Sequence, residues 1–147
     1  MLNSGTGFLN PVEETTLTIP STATKVITVG AYDARFDQAA AFSGRGYTRA
    51  TNQVKPDLVA PGVEIMSCAP GGGYQVRTGT SMATPFVTGS AALLMQWGIT
   101  DGNDAYLYGE KMKAYLIRGA RKLPGFTAYP NPVLGWGALC TANSIPR

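Results

Sequence analysis

Apolar positions in this chain come in short runs closed by glycine or proline, until one long stretch breaks the habit. "LTIPSTATKVITVGAYD" contains the run Val26-Ile27-Thr28-Val29, apolar and β-branched, which predicts a strand covered on both faces. Before it, Ile19-Pro20 imposes an extended or turn geometry. "ARFDQAAAFSGRGYTRATNQ" is a polar connection. Leu58-Val59-Ala60 then stops at Pro61-Gly62, and Val63 to Cys68 stops at Pro70 and three glycines, predicting two short strands joined by a Pro-Gly turn. "YQVRTGT" is a further extended piece.

The long stretch is a helix. Thr80 or Ser81 can cap it, Pro85 is expected in its first turn, and Gly98 should stop it. From Phe86 to Trp97 its residues are apolar or small on every side, which predicts burial all round. "TDGND" is a turn with an N-cap from Asn103 or Asp104, since the glycine placement and the lack of a following Glu do not suit a calcium loop. A second helix is expected from Asp104 to Lys122, with Leu107, Met112, Tyr115, Leu116 and Ala120 at helical spacing. The tail reads as loop followed by a short apolar segment, and residues 1–15 as loop. Strands alternating with helices predict an α/β fold with a mainly parallel sheet in one domain.

Composition sharpens this. The 147 residues, 44% hydrophobic, suffice for one core, and 18 glycines with 10 prolines indicate many turns. Only 14% of residues are charged. That suits either a secreted or sticky protein or a surface normally covered by further polypeptide. The net charge of +3 is spread out. Its one cluster, Arg118, Arg121 and Lys122, fits the last turn of a helix. No interleaving of basic and aromatic residues supports a nucleic-acid partner. Residues 78–100 carry no charge between them, yet their glycines, proline, hydroxyls and Gln96 favour burial in protein over a membrane span. The chain opens without the basic start and apolar core of a signal peptide. Cys68 and Cys140 lie in apolar surroundings and read as buried free thiols, with a disulfide left open.

The candidate chemistry centres on Ser81. A hydroxyl at a helix N-terminus sits among unpaired N–H groups at the positive end of the dipole. Such groups favour the oxyanion formed by attack on a carbonyl, although an ordinary serine cap accounts for the position too. The chain contains no histidine to act as base. A Ser-Lys pair would need a lysine brought within reach by the fold, and no S-x-x-K occurs.

"GTSMATP" resembles the nucleophile motif of the subtilases, the subtilisin-like serine proteases. "VAPGVEI" and "VITVGAYD" match the same family in order and spacing, over about residues 15 to 145. The α/β-hydrolases, which share a glycine-flanked serine, require a histidine after it, and none follows. The resemblance implies the C-terminal portion of a subtilisin-like three-layer fold, with residues 1–15 the tail of an upstream insertion. "TTLTIPSTATKVITVGAY", "KPDLVAPG" and "ALLMQWGI" look like a clostridial group that includes proteases and pseudoproteases of spore germination.

By this resemblance the chain belongs to a serine endopeptidase acting on peptide or protein substrates. Ser81 is the nucleophile, and its backbone N–H is one oxyanion donor. Ile19-Pro20 corresponds to a cis-proline near the floor of the S1 pocket. Thr18 lines that pocket, and Gly79 and Thr80 border the substrate. The Asp, the His and an oxyanion Asn lie before this chain. Asn3 falls beyond an insertion and reads as a loop residue. Where many subtilases carry a second, non-catalytic His, Phe86 stands here. The resemblance implies no cofactor apart from structural calcium, at no site assignable in this chain. It also implies a secreted, cell-envelope or spore-associated setting, packing against the N-terminal remainder of the domain, and self-association of the isolated chain. The alternative is a non-catalytic pseudoprotease or binding scaffold of the same family.

Overall fold

The computed structural model describes residue 7 and residues 9–146; Asn3 lies outside them. Three strands form the central sheet in the order β2 (Gln38–Ala39), β1 (Val29–Asp33), β3 (Leu58–Pro61). β1 and β3 are parallel, with Val29 opposite Leu58 and Ala31 opposite Ala60, while β2 returns antiparallel along β1. A parallel bridge from Val59 to Ala138 extends the β3 edge, with Val59 N–H donating to Gly137 O at 2.9 Å and Leu139 N–H to Val59 O at 2.8 Å. Helix α1 (Thr80–Met95) packs on β1 and β3, and α2 (Gly109–Gly119) packs on the short α3 (Thr141–Ser144). The α/β class and parallel pairing are those expected.

Strand alternation builds two cores. Ala31, Leu58 and Ala60 join Ala83, Val87 and Leu94 of α1 and Met112 and Leu116 of α2. Tyr32 and Val59 face the other way, onto Leu123, Leu134 and Ala138 of the tail. A two-residue period thus places helices on one face and the tail on the other.

β1 starts at Val29 and not at Val26, because the preceding backbone is engaged elsewhere. Val26 O accepts from the ammoniums of Lys55 and Lys113, and Thr28 N–H donates to the Asp57 carboxylate. The Pro-Gly turn joins β3 to β4 (Ile65–Cys68), but these two do not pair. β4 leaves the sheet and forms an antiparallel hairpin with β5 (Tyr74–Arg77). Cys68 is consequently exposed and Cys140 half-buried, both free thiols, which corrects the expectation of two buried ones.

The helices also depart from the sequence reading. α1 buries one face only, through Ala83, Val87, Ser90 and Leu94, and leaves Phe86, Leu93, Met95 and Ile99 exposed. It runs through Gly98 in a wider final turn that closes with Asp101 N–H on Gln96 O. Gly98 serves contact there, since a Cβ would meet Leu107 Cδ2 at 2.9 Å. α2 is shorter than predicted at both ends. Asp104 caps nothing; its carboxylate accepts from Lys111 Nζ and the Tyr115 hydroxyl. Ala120 is extended, and Arg121 pairs with Ala138 as a bridge, so Arg121 and Lys122 lie beyond the helix. Among the described residues no helix is long and apolar enough to cross a membrane.

Leu94 is fully buried between α1 and the sheet. Leu94→Ala should lower the unfolding free energy by about 2–5 kcal/mol in a denaturant titration, the usual cost of a buried leucine cavity. Acid should weaken the fold too. The guanidinium of Arg121 holds the Asp37 carboxyl below its ordinary value, and Lys111 and then Tyr115 do the same for Asp104. A carboxyl whose folded pKa is depressed stabilises above its unfolded pKa and loses that contribution as pH falls through the folded one. Melting temperature should therefore drop below about pH 4, and Asp104→Asn should flatten that drop.

Candidate active site

Ser81 is positioned by a close contact between two glycines. Gly79 N–H donates to Gly62 O at 2.8 Å, bringing the entry to α1 against the end of β3. A Cβ on Gly62 would lie 2.6 Å from Ala31 Cβ and 3.0 Å from Gly79 O, so only glycine fits. Gly79 is the N-cap at φ 155, a region that disfavours other residues, and no side chain caps the helix. Ser81 is therefore not the cap but the second helical residue, where its own N–H is among those the helix leaves unpaired. No acidic residue occupies the first turn, so the positive end of the dipole is not neutralised.

Pro85 lies in the second turn and not the first. Having no N–H, it cannot donate to the Ser81 carbonyl four residues earlier. Polar residues further along satisfy themselves on the helix backbone: Thr84 Oγ1 donates to Thr80 O at 3.1 Å and Ser90 Oγ to Phe86 O at 2.8 Å.

Ser81 is exposed at the meeting of two clefts. The larger, about 900 Å³, is lined by Thr18, Pro20, Val29, Gly30, Thr80 and Ser81 among others. The smaller, about 560 Å³, lies between the β4–β5 hairpin and α1, and includes Cys68, Arg77, Ser81, Met82 and Phe86. The fold thus brings Thr18, Pro20, Thr80 and Ser81 to one cleft across some sixty residues of sequence. The Ile19–Pro20 bond is cis. Ile19 itself is exposed and, like Gly79, does not line the cleft; Gly79 acts through the backbone. The hairpin wall was not foreseen, since nothing in "IMSCAP" or "YQVR" marks them as partners. Their register, Met66 opposite Val76, is visible only in the fold.

Charged residues line both clefts, Glu13 and Arg45 the larger and Arg77 the smaller. Arg35 bonds Asp33 and Glu64, and Glu64 N–H donates to Thr78 Oγ1 at 2.9 Å, tying the hairpin to the helix entry. Among the described residues no group of three or more His, Cys, Asp or Glu side chains could hold a metal ion. The lysines with a defined role serve elsewhere: Lys55 and Lys113 on Asp57, Lys111 on Asp104, and Lys122 on Trp136 O.

A family model described as the Subtilase family matches residues 3–137. The chain is 35% identical to the serine protease AprX of Bacillus subtilis, over 89% of this chain and 32% of that protein. Among solved structures it resembles the CspB protease of Clostridium perfringens, with 48% identity and a TM-score of 0.92 over 97% of this chain and 30% of that one. It also resembles the patellamide maturation protease PatA, with 28% identity and a TM-score of 0.71 over 90% of this chain and 46% of that one. The chain spans about a third of the length of AprX and CspB.

The glycine contact gives a direct test of how the serine is held. Gly62→Ala must push the first turn of α1 away from β1. We expect a loss of about 1–3 kcal/mol by chemical denaturation, as for overpacking in a core. Faster amide exchange at Ser81 and Met82 should accompany it. Unchanged exchange there would mean that the contact does not position the serine.

Proposed function

This chain belongs to the subtilase family, and on that premise we propose that it is the C-terminal, nucleophile-bearing part of a serine endopeptidase domain. The observation that carries the reading is the placement of Ser81, exposed at the positive end of α1 and shared by two clefts. The uncovered apolar face of α1 supports it, since that face is what a further layer of the same domain would bury.

In the reaction so proposed, Ser81 Oγ forms a bond to the scissile carbonyl carbon while its proton passes to a histidine supplied from outside this chain. The Ser81 N–H donates to the carbonyl oxygen as it becomes an oxyanion, together with an asparagine amide that is also external. Collapse breaks the C–N bond, and the histidine returns the proton to the departing amine. Water then hydrolyses the ester on Ser81. An aspartate outside this chain orients the histidine. Thr18 and Pro20 line the pocket for the residue before the cleaved bond, Ile19 contributes the cis bond to Pro20, and Thr80 flanks the peptide backbone, with Gly79 setting its course.

By itself the chain should not turn over a peptide substrate, because a serine without a base retains only oxyanion and binding effects. The assay is release of a chromophoric leaving group with mass spectrometry of Ser81. A burst with stable acylation of Ser81 in the isolated chain would overturn the reading. In the intact protease, Ser81→Ala should lower kcat by at least about a thousandfold. Activity unchanged by that substitution would exclude the proposed role, and an intact protein with no activity at all would point to a binding scaffold of the same family.

The bare face of α1 leads to a second expectation. Phe86, Leu93, Met95 and Ile99 stay in water only at a cost, so the isolated chain should self-associate in sedimentation velocity as its concentration rises. Replacing Phe86 and Leu93 together by Ser should reduce that association without unfolding the chain. A strictly monomeric wild type would show that this face needs no partner.

A further inference from the structure

The cleft wall built by residues 16–28 has almost no regular structure, and most of it is exposed. Something must hold it in place. Thr24 O and Val26 O each accept a hydrogen bond of 3.1 Å from one ammonium, Lys113 Nζ of α2. The same ammonium sits 2.7 Å from Asp57 Oδ1. Asp57 Oδ2 accepts from Lys55 Nζ at 2.7 Å and from Thr28 N–H at 2.7 Å, and Lys55 Nζ also reaches Val26 O at 3.0 Å. From Thr28 the bonding continues into the cleft: Thr28 Oγ1 donates to Ser21 O at 2.6 Å, Ser21 N–H to Thr18 O at 2.9 Å, and Ala23 N–H to Pro20 O at 3.0 Å. An unbroken path of hydrogen bonds thus joins α2 to Thr18, and Pro20, between Thr18 and Ser21 in sequence, is held by its own bond from Ala23.

We propose that Lys113 is a positioning residue for the substrate cleft, fixing the Thr18–Pro20 wall through the backbone of residues 24–28. This rests on the protease reading of the cleft, although the positioning itself does not. The lone carboxylate of Asp57 faces two ammoniums, whose remaining N–H groups donate to the carbonyls of Thr24 and Val26. Lys113 is the member that can be removed cleanly. Loss of Asp57, 4% exposed, would strand the buried Lys55 ammonium, and truncation of Lys55, 2% exposed, would leave a void where its stem is packed. Lys113 is more accessible, and α2 packs through Met112 and Leu116 without it. Without its ammonium, Thr24 O loses its donor and Val26 O keeps only Lys55.

The test compares wild type, Lys113→Met and Lys113→Arg. In the 147-residue chain, Lys113→Met should speed amide exchange across residues 18–28 by about tenfold, as a local opening does. Exchange in β1, β3 and α2 and the urea midpoint should stay near wild type, and Lys113→Arg should restore the slow exchange. In the intact protease, Lys113→Met should raise KM for a tetrapeptide substrate about tenfold with kcat within about twofold, the signature of lost substrate positioning. Unchanged exchange in residues 18–28, or a rise shared equally by α2 and β3, would overturn the proposal. So would an unchanged KM beside a lowered kcat. A wild-type intact protein without activity would defeat the protease reading, and the exchange experiment would still decide the positioning one.

Discussion

The structure turns on one buried carboxylate. Asp57 stands at the entry to β3, and its backbone and side chain reach three separate parts of the chain. Its N–H donates to Thr28 O at 2.8 Å, and its carbonyl accepts from Trp136 N–H at 2.9 Å. Its carboxylate takes Lys55, Lys113 and Thr28 N–H. A buried charge needs this many partners to be tolerated. Burial pushes the Lys55 ammonium below the ordinary lysine range, and Asp57 opposes that push. The tail closes over the same residue so tightly that a Cβ on Gly135 would lie 2.5 Å from Asp57 O. One residue thereby ties together the start of β1 and α2 through its carboxylate and the crossing tail through its backbone carbonyl.

From that anchor the position of the serine follows. β1 and β3 are held in parallel register, and β3 ends at Pro61 just before Gly62, against which Gly79 docks. α1 leaves from this contact with its first turn facing the clefts and one stripe of small and branched residues on the sheet. The stripe has to be narrow because the sheet has three short strands. Beyond Ala91, which is partly buried against the same core, Phe86, Leu93 and Met95 of α1 are left exposed. The exposed apolar side chains of α1 and the low charge of the chain are two separate observations behind the proposal that further polypeptide covers this surface.

Much of the fold was legible. The apolar runs ending at Pro61-Gly62 and Pro70 mark β3 and β4, and the period of Met112 and Leu116 marks α2. "GTSMATP" located the serine at a helix start, and the family that the motif suggested is the one that matches. Errors arose where a residue has two uses. Gly98 is a helix stop by propensity and a packing contact by position. Val26 to Thr28 are strand formers whose backbone is claimed by lysines and a carboxylate. Asp104 is a good cap, but it binds Lys111 and Tyr115 instead.

By itself the sequence determined the types of the longer elements, the α/β class and the candidate nucleophile, because each is written in local spacing or in a short motif. Only the tertiary structure decided that Thr18 and Pro20 share a cleft with Ser81, that β4 and β5 wall a second one, and that α1 is covered on one side alone. Those are relations between residues tens of positions apart. They are fixed by buried charge, by glycine contacts with no room for a Cβ, and by how much sheet is present to receive the helix; no period along the chain encodes them.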